Sequence, residues 1–124
     1  MTANRLVLAL IAASVCTWLP ATAAGSTTGT IAPTSTQRSA ILRAFGEPRA
    51  GWRCMFVRLA ASNHNYARVR PLRSTSCVRW EFNGTNVLKR TSASHWKVLF
   101  EGSAYACPLA RIPRQVQRDL GVCR

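Results

Sequence analysis

Four cysteines beyond residue 50 constrain the fold of this 124-residue chain more than any other feature of its sequence. They are Cys54, Cys77, Cys107 and Cys123, and no CxxC spacing that would favour a metal site occurs among them. An even number of cysteines in an exported domain predicts two disulfides. Three pairings are possible, and we expect Cys107–Cys123, which would bridge the ends of a short closing helix. Cys54–Cys77 then follows by elimination.

The N-terminus indicates export. Met1–Arg5 carries one positive charge, and Leu6–Val15 is an apolar run that is too short to span a membrane. Small residues follow, so the first 24 residues have the pattern of a signal peptide cleaved after Ala23 or Ala24. Cleavage would remove the fifth cysteine, Cys16, and leave a secreted domain, extracellular or in the cell envelope, with no integral membrane span. A retained anchor at the membrane surface is the alternative.

Residues 25–35 are rich in Thr, Ser, Gly and Ala and are predicted to form a flexible lead-in to a single domain over 36–124. The first element of that domain is predicted to be a helix over 35–46. Thr34 and Gln37 have the spacing of a capping box, which satisfies free backbone N–H groups at a helix start. The apolar residues that follow at helical spacing are Ala40, Ile41, Ala44 and Phe45.

The middle of the chain predicts an antiparallel β-meander of about four to five strands, followed by a short C-terminal helix. Asn83-Gly84 is typical of a two-residue hairpin turn. Pro113 suits the first turn of the closing helix, and Gly121 suits the position after its last turn. The predicted fold class is α+β, with both helices on one face of a curved sheet. The predicted strands are Trp52–Leu59, Tyr66–Arg70, Cys77–Phe82, Thr85–Arg90 and His95–Glu101.

A loose series of short segments runs through residues 36–123. They are Val57–Ser62, Asn65–Val69, Trp96–Leu99, Cys107 with Ile112–Val116, and Asp119–Gly121. This series resembles a group of uncharacterised small secreted proteins of actinobacteria, and the order of elements is similar to that of cystatin-like folds. The resemblance implies export and the fold, and it implies no site.

Charge is the most unusual property of the composition. The chain has 17 Lys and Arg against 4 Asp and Glu, a formal net charge of +13, and removal of Arg5 with the signal leaves +12. Such an excess favours an anionic partner, although arginine enrichment from a GC-rich genome is the simpler alternative. Arg53, Arg79 and Arg90 lie beside aromatic residues and are the candidate anion-binding residues. The period-two spacing of those aromatic residues instead favours a core.

No catalytic residue, metal site or cofactor is predicted. His64 lies in a polar loop and His95 at the start of a strand, and acid–base catalysis would require a carboxylate or a nucleophile beside one of them. Glu81 and Glu101 could be neighbours in the meander, where ion pairs with arginine are the expected role. Oxidised cysteines would offer no thiolate nucleophile.

We therefore expect a secreted, basic, disulfide-stabilised binding module whose partner outside the cell is an anionic polymer, such as an envelope component, or a protein. The alternatives are a small secreted hydrolase that uses a histidine and an inhibitor of a secreted enzyme. The sequence leaves the ligand and the oligomeric state open.

Overall fold

A computed structural model describes residues 29–124. The predicted signal over residues 1–24, and residues 25–28 of the predicted lead-in, lie outside the described residues. The rest of the lead-in is not a free segment, because Thr30–Ile31 forms a short strand, β1. Thr30 is paired with Ala60 and Ile31 with Leu59, so this part of the chain belongs to the sheet.

The predicted first helix is confirmed as α1, Ser35–Phe45. Its N-terminus has the expected capping box, in which Thr34 Oγ1 accepts from the Gln37 N–H at 3.2 Å and Gln37 Oε1 accepts from the Thr34 N–H at 2.9 Å. Gly46 ends the helix with φ +86°, a left-handed conformation that glycine adopts at little cost.

Five antiparallel strands form a single sheet in the order β1-β2-β3-β4-β5, and a second helix, α2, Arg114–Leu120, closes the chain. The predicted α+β fold class is confirmed. The first predicted strand begins later than expected, because Arg49–Cys54 forms a 3₁₀ helix. The remaining strands are β2 (Met55–Ala60), β3 (Tyr66–Pro71), β4 (Thr85–Arg90) and β5 (Trp96–Gly102).

The prediction of a strand over Cys77–Phe82 is wrong. Thr75–Trp80 forms a second 3₁₀ helix, and β3 pairs directly with β4. The Trp80 ring packs so closely on the first 3₁₀ helix that a Cβ on Gly51 would lie 2.6 Å from Trp80 Cε3. The alternating aromatic residues therefore cover the end of the core without pairing in the sheet. The turn at Asn83-Gly84 consequently joins a 3₁₀ helix to β4 and is not a hairpin.

The two helices pack on opposite faces of the sheet, which corrects the prediction that they share one face. Ile41 and Leu42 of α1 pack in a cluster with Val57, Val69 and Leu88. Val116 and Leu120 of α2 pack in a second cluster with Ala60, Tyr66 and Val87. Because side chains alternate across a strand, neighbours such as Val87 and Leu88 contribute to different cores. The sheet is thus the middle layer of three.

A β-bulge in β5 moves one predicted core residue to the other face. Leu88 is paired with Val98 and Val87 with Phe100, so Leu99 is an extra residue on β5. The alternation of the sequence predicted Val98 and Phe100 on the same face. The bulge instead places Phe100 against Tyr105, with ring centroids 5.1 Å apart, in the α2 cluster.

Both predicted disulfides are confirmed. Cys54–Cys77 joins the two 3₁₀ helices with Cα atoms 5.4 Å apart, and Cys107–Cys123 closes the segment that contains α2 with Cα atoms 5.9 Å apart. Between residues 29 and 124, no helix has the length and apolar character that a membrane span requires.

Candidate anion-binding site

Three arginines lie on the α2-facing side of β2 and β3, and we call them the arginine cluster: Arg58, Arg68 and Arg70. The strand register places Arg58 directly opposite Arg68 and Phe56 opposite Arg70. Directly opposed residues have Cβ atoms roughly 4.5–5.5 Å apart, and like charges in that position are destabilising. This arrangement therefore requires acceptors that offset the repulsion.

The C-terminal end of α2 supplies some of those acceptors. Arg68 Nη1 donates to the Leu120 carbonyl at 2.9 Å and to the Gly121 carbonyl at 3.0 Å. Arg70 Nη2 donates more weakly to the Leu120 carbonyl at 3.4 Å. Gly121 ends the helix with φ +64°, and the carbonyl end of a helix carries a partial negative charge that favours cations. These partners are neutral groups and do not cancel the charge of the cluster.

Arg58 is held from the other side by β1. Its Nε donates to Thr30 Oγ1 at 3.1 Å, its Nη2 donates to the Thr30 carbonyl at 3.4 Å, and its guanidinium lies 5.3 Å from the centroid of the Phe56 ring. Phe56 is 46% exposed although it is a large apolar residue. Among the described residues, every hydrogen bond made by the cluster ends on a carbonyl or a hydroxyl, and none ends on a carboxylate.

Arg68 is the member of the cluster whose charge is least favourably placed. Burial lowers the pKa of its guanidinium, and the neighbouring charge of Arg70 lowers it further, while Tyr105 acts weakly in the opposite direction. Its Nε is buried and has no hydrogen-bond partner among the described residues. Leaving such a donor unpaired carries a free-energy cost of about 1–3 kcal/mol.

Asp119, the acidic residue beside the cluster, accepts hydrogen bonds on both of its carboxylate oxygens. Its Oδ1 accepts from the Gly29 N–H at 3.1 Å and from Gln115 Nε2 at 2.9 Å, and its Oδ2 accepts from the Ser62 N–H at 2.8 Å. Burial by itself would raise the Asp119 pKa, but these hydrogen bonds together hold it below its ordinary value. The carboxylate therefore stays ionised and joins α2 to β1 and to the β2–β3 loop.

The arginine cluster lines a cavity of about 180 Å³, which we call the first cavity. Three arginines and one acid give its walls a net charge of +2. The volume is below the roughly 300–1,000 Å³ of typical small-molecule sites, so the space suits one anionic group better than a whole organic ligand. The other lining residues are Thr30, Phe56, Asp119, Leu120 and Gly121.

The structure does not bring the three sequence-predicted arginines together. Arg53 and Arg79 are exposed on the two 3₁₀ helices, and Arg79 lies 4.6 Å from the centroid of the Trp80 ring. Arg90 lies at the opposite end of the sheet, where its Nε donates to Asn65 Oδ1 at 2.9 Å. The arginine cluster was not among the sequence-predicted sites, and its signal in the sequence is the alternate spacing of arginines along two predicted strands.

The histidines do not form an acid–base site with a carboxylate among the described residues. His64 is exposed in the β2–β3 turn. His95 Nδ1 lies 2.9 Å from Ser92 Oγ and 3.3 Å from Ser94 Oγ, all on the exposed turn between β4 and β5. Within the range 29–124, no group of three or more His, Cys, Asp or Glu residues could hold a metal ion. Glu81 and Glu101 are exposed.

No protein-family model, no curated protein and no solved structure matches this chain. The resemblance to small secreted proteins of actinobacteria, and the cystatin-like order of elements, therefore stay predictions.

Proposed function

We propose that this protein is a secreted binding domain that recognises an anionic ligand through the arginine cluster. The observation that carries the proposal is the direct opposition of Arg58 and Arg68, with Arg70 on the same face, where no carboxylate of the described residues accepts a hydrogen bond from them. A bound anion would supply the missing counter-charge.

The chemistry of the cluster fits an anion better than any other ligand. A guanidinium presents five N–H donors in a planar fork and forms short, charge-assisted hydrogen bonds to carboxylate or phosphate oxygens. An anion in the first cavity would also oppose the two effects that lower the Arg68 pKa, because it would stabilise the charged form of that side chain. Binding would thus offset a cost that the free domain bears.

The whole surface supports the same function. The described residues include 16 of the 17 cations and all 4 acids, so their formal net charge is +12. A charge of this size attracts anions over several ångströms and speeds their encounter with a basic site. Catalysis is the weaker alternative, because the acid of the first cavity, Asp119, already accepts hydrogen bonds on both oxygens and is poorly placed to act as a general base.

Export is the second part of the proposal. Two disulfides form and persist in oxidising compartments, which supports a location outside the cytoplasm. We expect N-terminal sequencing of the protein recovered from the growth medium or the cell envelope to begin at Ala24 or Gly25. Recovery of a form that still begins at Met1 would contradict this part and leave the binding proposal standing.

The binding experiment compares charge-matched variants on immobilised long-chain polyphosphate over a series of salt concentrations. Arg58→Gln and Arg70→Gln each remove one cation of the cluster, and Arg43→Gln removes one exposed cation from α1, on the other face of the sheet. Arg68 is left intact because it also holds the end of α2.

We expect the native protein to bind and to elute at lower salt after either cluster substitution. The slope of log affinity against log salt should fall by about one unit for each phosphate-contacting arginine removed. Arg43→Gln should leave the slope nearly unchanged. Equal losses for all three variants would show that binding is a property of total charge, and no retention of the native protein at low salt would refute the proposal.

A further inference from the structure

A second cavity, of about 330 Å³, adjoins the first. The two cavities share three lining residues, Arg68, Arg70 and Gly121. Arg58 belongs only to the first cavity, and Arg73, which is exposed, belongs only to the second. The other lining residues of the second cavity are Pro71, Phe82, Asn83 and Gly84.

We propose that the two cavities form one groove that binds a linear phosphate polymer, with neighbouring phosphate groups in the first and second cavities. This inference rests on the proposed function, which requires only that the arginine cluster binds an anion. It adds the number of anionic groups, their chemical class and a further binding residue, Arg73.

The distribution of arginines supports two anionic groups. Each cavity has one arginine of its own, and Arg68 and Arg70 line both cavities. Among the described residues, Arg70 makes one weak hydrogen bond, to the Leu120 carbonyl at 3.4 Å, so most of its five donors are available to a ligand in either cavity. Of the described residues, three arginines and no acidic residue line the second cavity, so the lining itself supplies no counter-charge to them.

The convergence of arginines from different positions supports phosphate. A carboxylate has two coplanar oxygens, which one guanidinium can satisfy with two parallel hydrogen bonds. A phosphate group carries its oxygens in a tetrahedral arrangement, so it can accept from several guanidinium groups that approach from different directions. Arg58 on β2 and Arg68 and Arg70 on β3 approach the first cavity in this way.

Linkage of the two groups in one chain gives a measurable advantage. Once one phosphate occupies the first cavity, the next phosphate is held at a high effective concentration near the second, so the affinity should exceed that of a single phosphate. This gain should depend on Arg73. A basic patch without defined cavities would instead respond equally to the loss of any nearby cation.

The test is calorimetric titration of the purified protein with orthophosphate, pyrophosphate and tripolyphosphate at constant ionic strength. We expect tripolyphosphate to bind at least about tenfold more tightly than orthophosphate. Arg73→Gln should remove most of this advantage and leave orthophosphate binding within about twofold, because Arg58, Arg68 and Arg70 are intact. Arg43→Gln, with the same change in charge, should leave the advantage intact.

Other outcomes separate this inference from the proposed function. Binding of orthophosphate and tripolyphosphate with equal affinity, or equal effects of the Arg73 and Arg43 substitutions, would overturn the groove and leave the single-anion site standing. Failure of every phosphate compound and of every other anion to bind would overturn both.

Two further ligands identify the source of the phosphate. A short phosphodiester chain of the same charge as tripolyphosphate, bound with the same dependence on Arg73, would support the groove and identify phosphodiesters as its ligands. Weaker binding of the phosphodiester chain than of tripolyphosphate would identify polyphosphate as the ligand of the groove. An oligomer of carboxylated sugars that binds more tightly than either phosphate chain would overturn the assignment to phosphate.

Discussion

Asp119 is one of the residues that hold α2 to the rest of the domain, and its replacement by asparagine should destabilise the protein strongly. The native carboxylate accepts hydrogen bonds from the Ser62 N–H at 2.8 Å and the Gly29 N–H at 3.1 Å, which tie α2 to distant parts of the chain, and a third from Gln115 Nε2 within α2 at 2.9 Å. Hydrogen bonds to a charged group contribute about 1.5–3 kcal/mol and neutral ones about 0.5–1.5 kcal/mol. Asparagine keeps the shape, makes the remaining bonds neutral and turns one acceptor into a donor that faces an N–H group.

The expected loss in the free energy of unfolding is therefore about 2–3 kcal/mol at pH 7. In a domain of this size such a loss lowers the melting temperature by roughly 10–20 °C. The assay is urea or thermal unfolding, with Glu101→Gln as the control, because that substitution removes an exposed carboxylate and makes the same change in net charge.

The difference between native and Asp119→Asn protein should also depend on pH. The Asp119 pKa is lower in the folded state than in the unfolded state, so its contribution is fully present above the unfolded value of about 3.9 and is lost as pH falls through the folded value. The gap between the two proteins should narrow in strong acid. A gap below about 0.5 kcal/mol at pH 7, or one that stays constant down to pH 2, would refute this account of Asp119.

Four further outcomes follow from particular contacts. Asn86→Ala should cost about 2–4 kcal/mol in urea unfolding, because the Asn86 amide is hydrogen-bonded to both the N–H and the carbonyl of the buried Val69; a cost below 1 kcal/mol would contradict this. Gly121→Ala should cost about 1–2 kcal/mol in the same assay, since φ is +64° and the new Cβ would lie 3.3 Å from Arg70 Nη2; an unchanged midpoint would argue against it. Replacing both Cys107 and Cys123 by serine should cost about 3 kcal/mol, and a melting temperature equal to that of the native protein would count against the bridge as a stabiliser. The Asp119→Asn variant, although less stable, should bind tripolyphosphate at least as tightly as the native protein, because the substitution removes a negative charge from the first cavity. Calorimetry at 10 °C, below the melting temperature of the variant, measures both affinities, and weaker binding by the variant would contradict this expectation.

Elements with strong local signals could be predicted from the sequence. The capping box at Thr34 marks the start of α1, and the left-handed glycine Gly46 marks its end. Both signals are local in the sequence, so no distant contact is needed to specify the helix. The closing helix has equally local signals in Pro113 and Gly121. The cysteine pairing could be predicted because one pair flanks this helix and leaves only the other pair to form.

Features that depend on distant contacts could not be predicted. The period-two pattern of Val78, Trp80 and Phe82 resembles that of a strand, but Val78 is 61% exposed and the two aromatic residues pack over the end of the core. A short 3₁₀ helix tied to a distant segment by a disulfide produces this pattern without β-pairing. The prediction that both helices lie on one face was wrong for a related reason. The pattern along a strand shows that the sheet has two faces, but it does not show which helix covers each face.

The arginine cluster could not be predicted from the sequence for the same reason, since it depends on contacts between distant segments. Its members alternate along β2 and β3, which could be recognised in the sequence, but their opposition depends on the register that pairs Arg58 with Arg68. Register is set by the β2–β3 turn and by burial of the other face. The sequence-predicted arginines were chosen for their aromatic neighbours, and at Arg79 that neighbour stacks on the guanidinium within the protein itself.

The central claim, that anions bind at the arginine cluster, is tested most directly by nuclear magnetic resonance. A titration of ¹⁵N-labelled protein with tripolyphosphate would follow the backbone amides and the arginine Nε–Hε signals together. We expect saturable shifts of the Arg58, Arg68 and Arg70 side-chain signals and of the Gly121 amide signal. Shifts centred on Arg53, Arg79 and Arg90, or small unsaturable shifts over the whole basic surface, would contradict it.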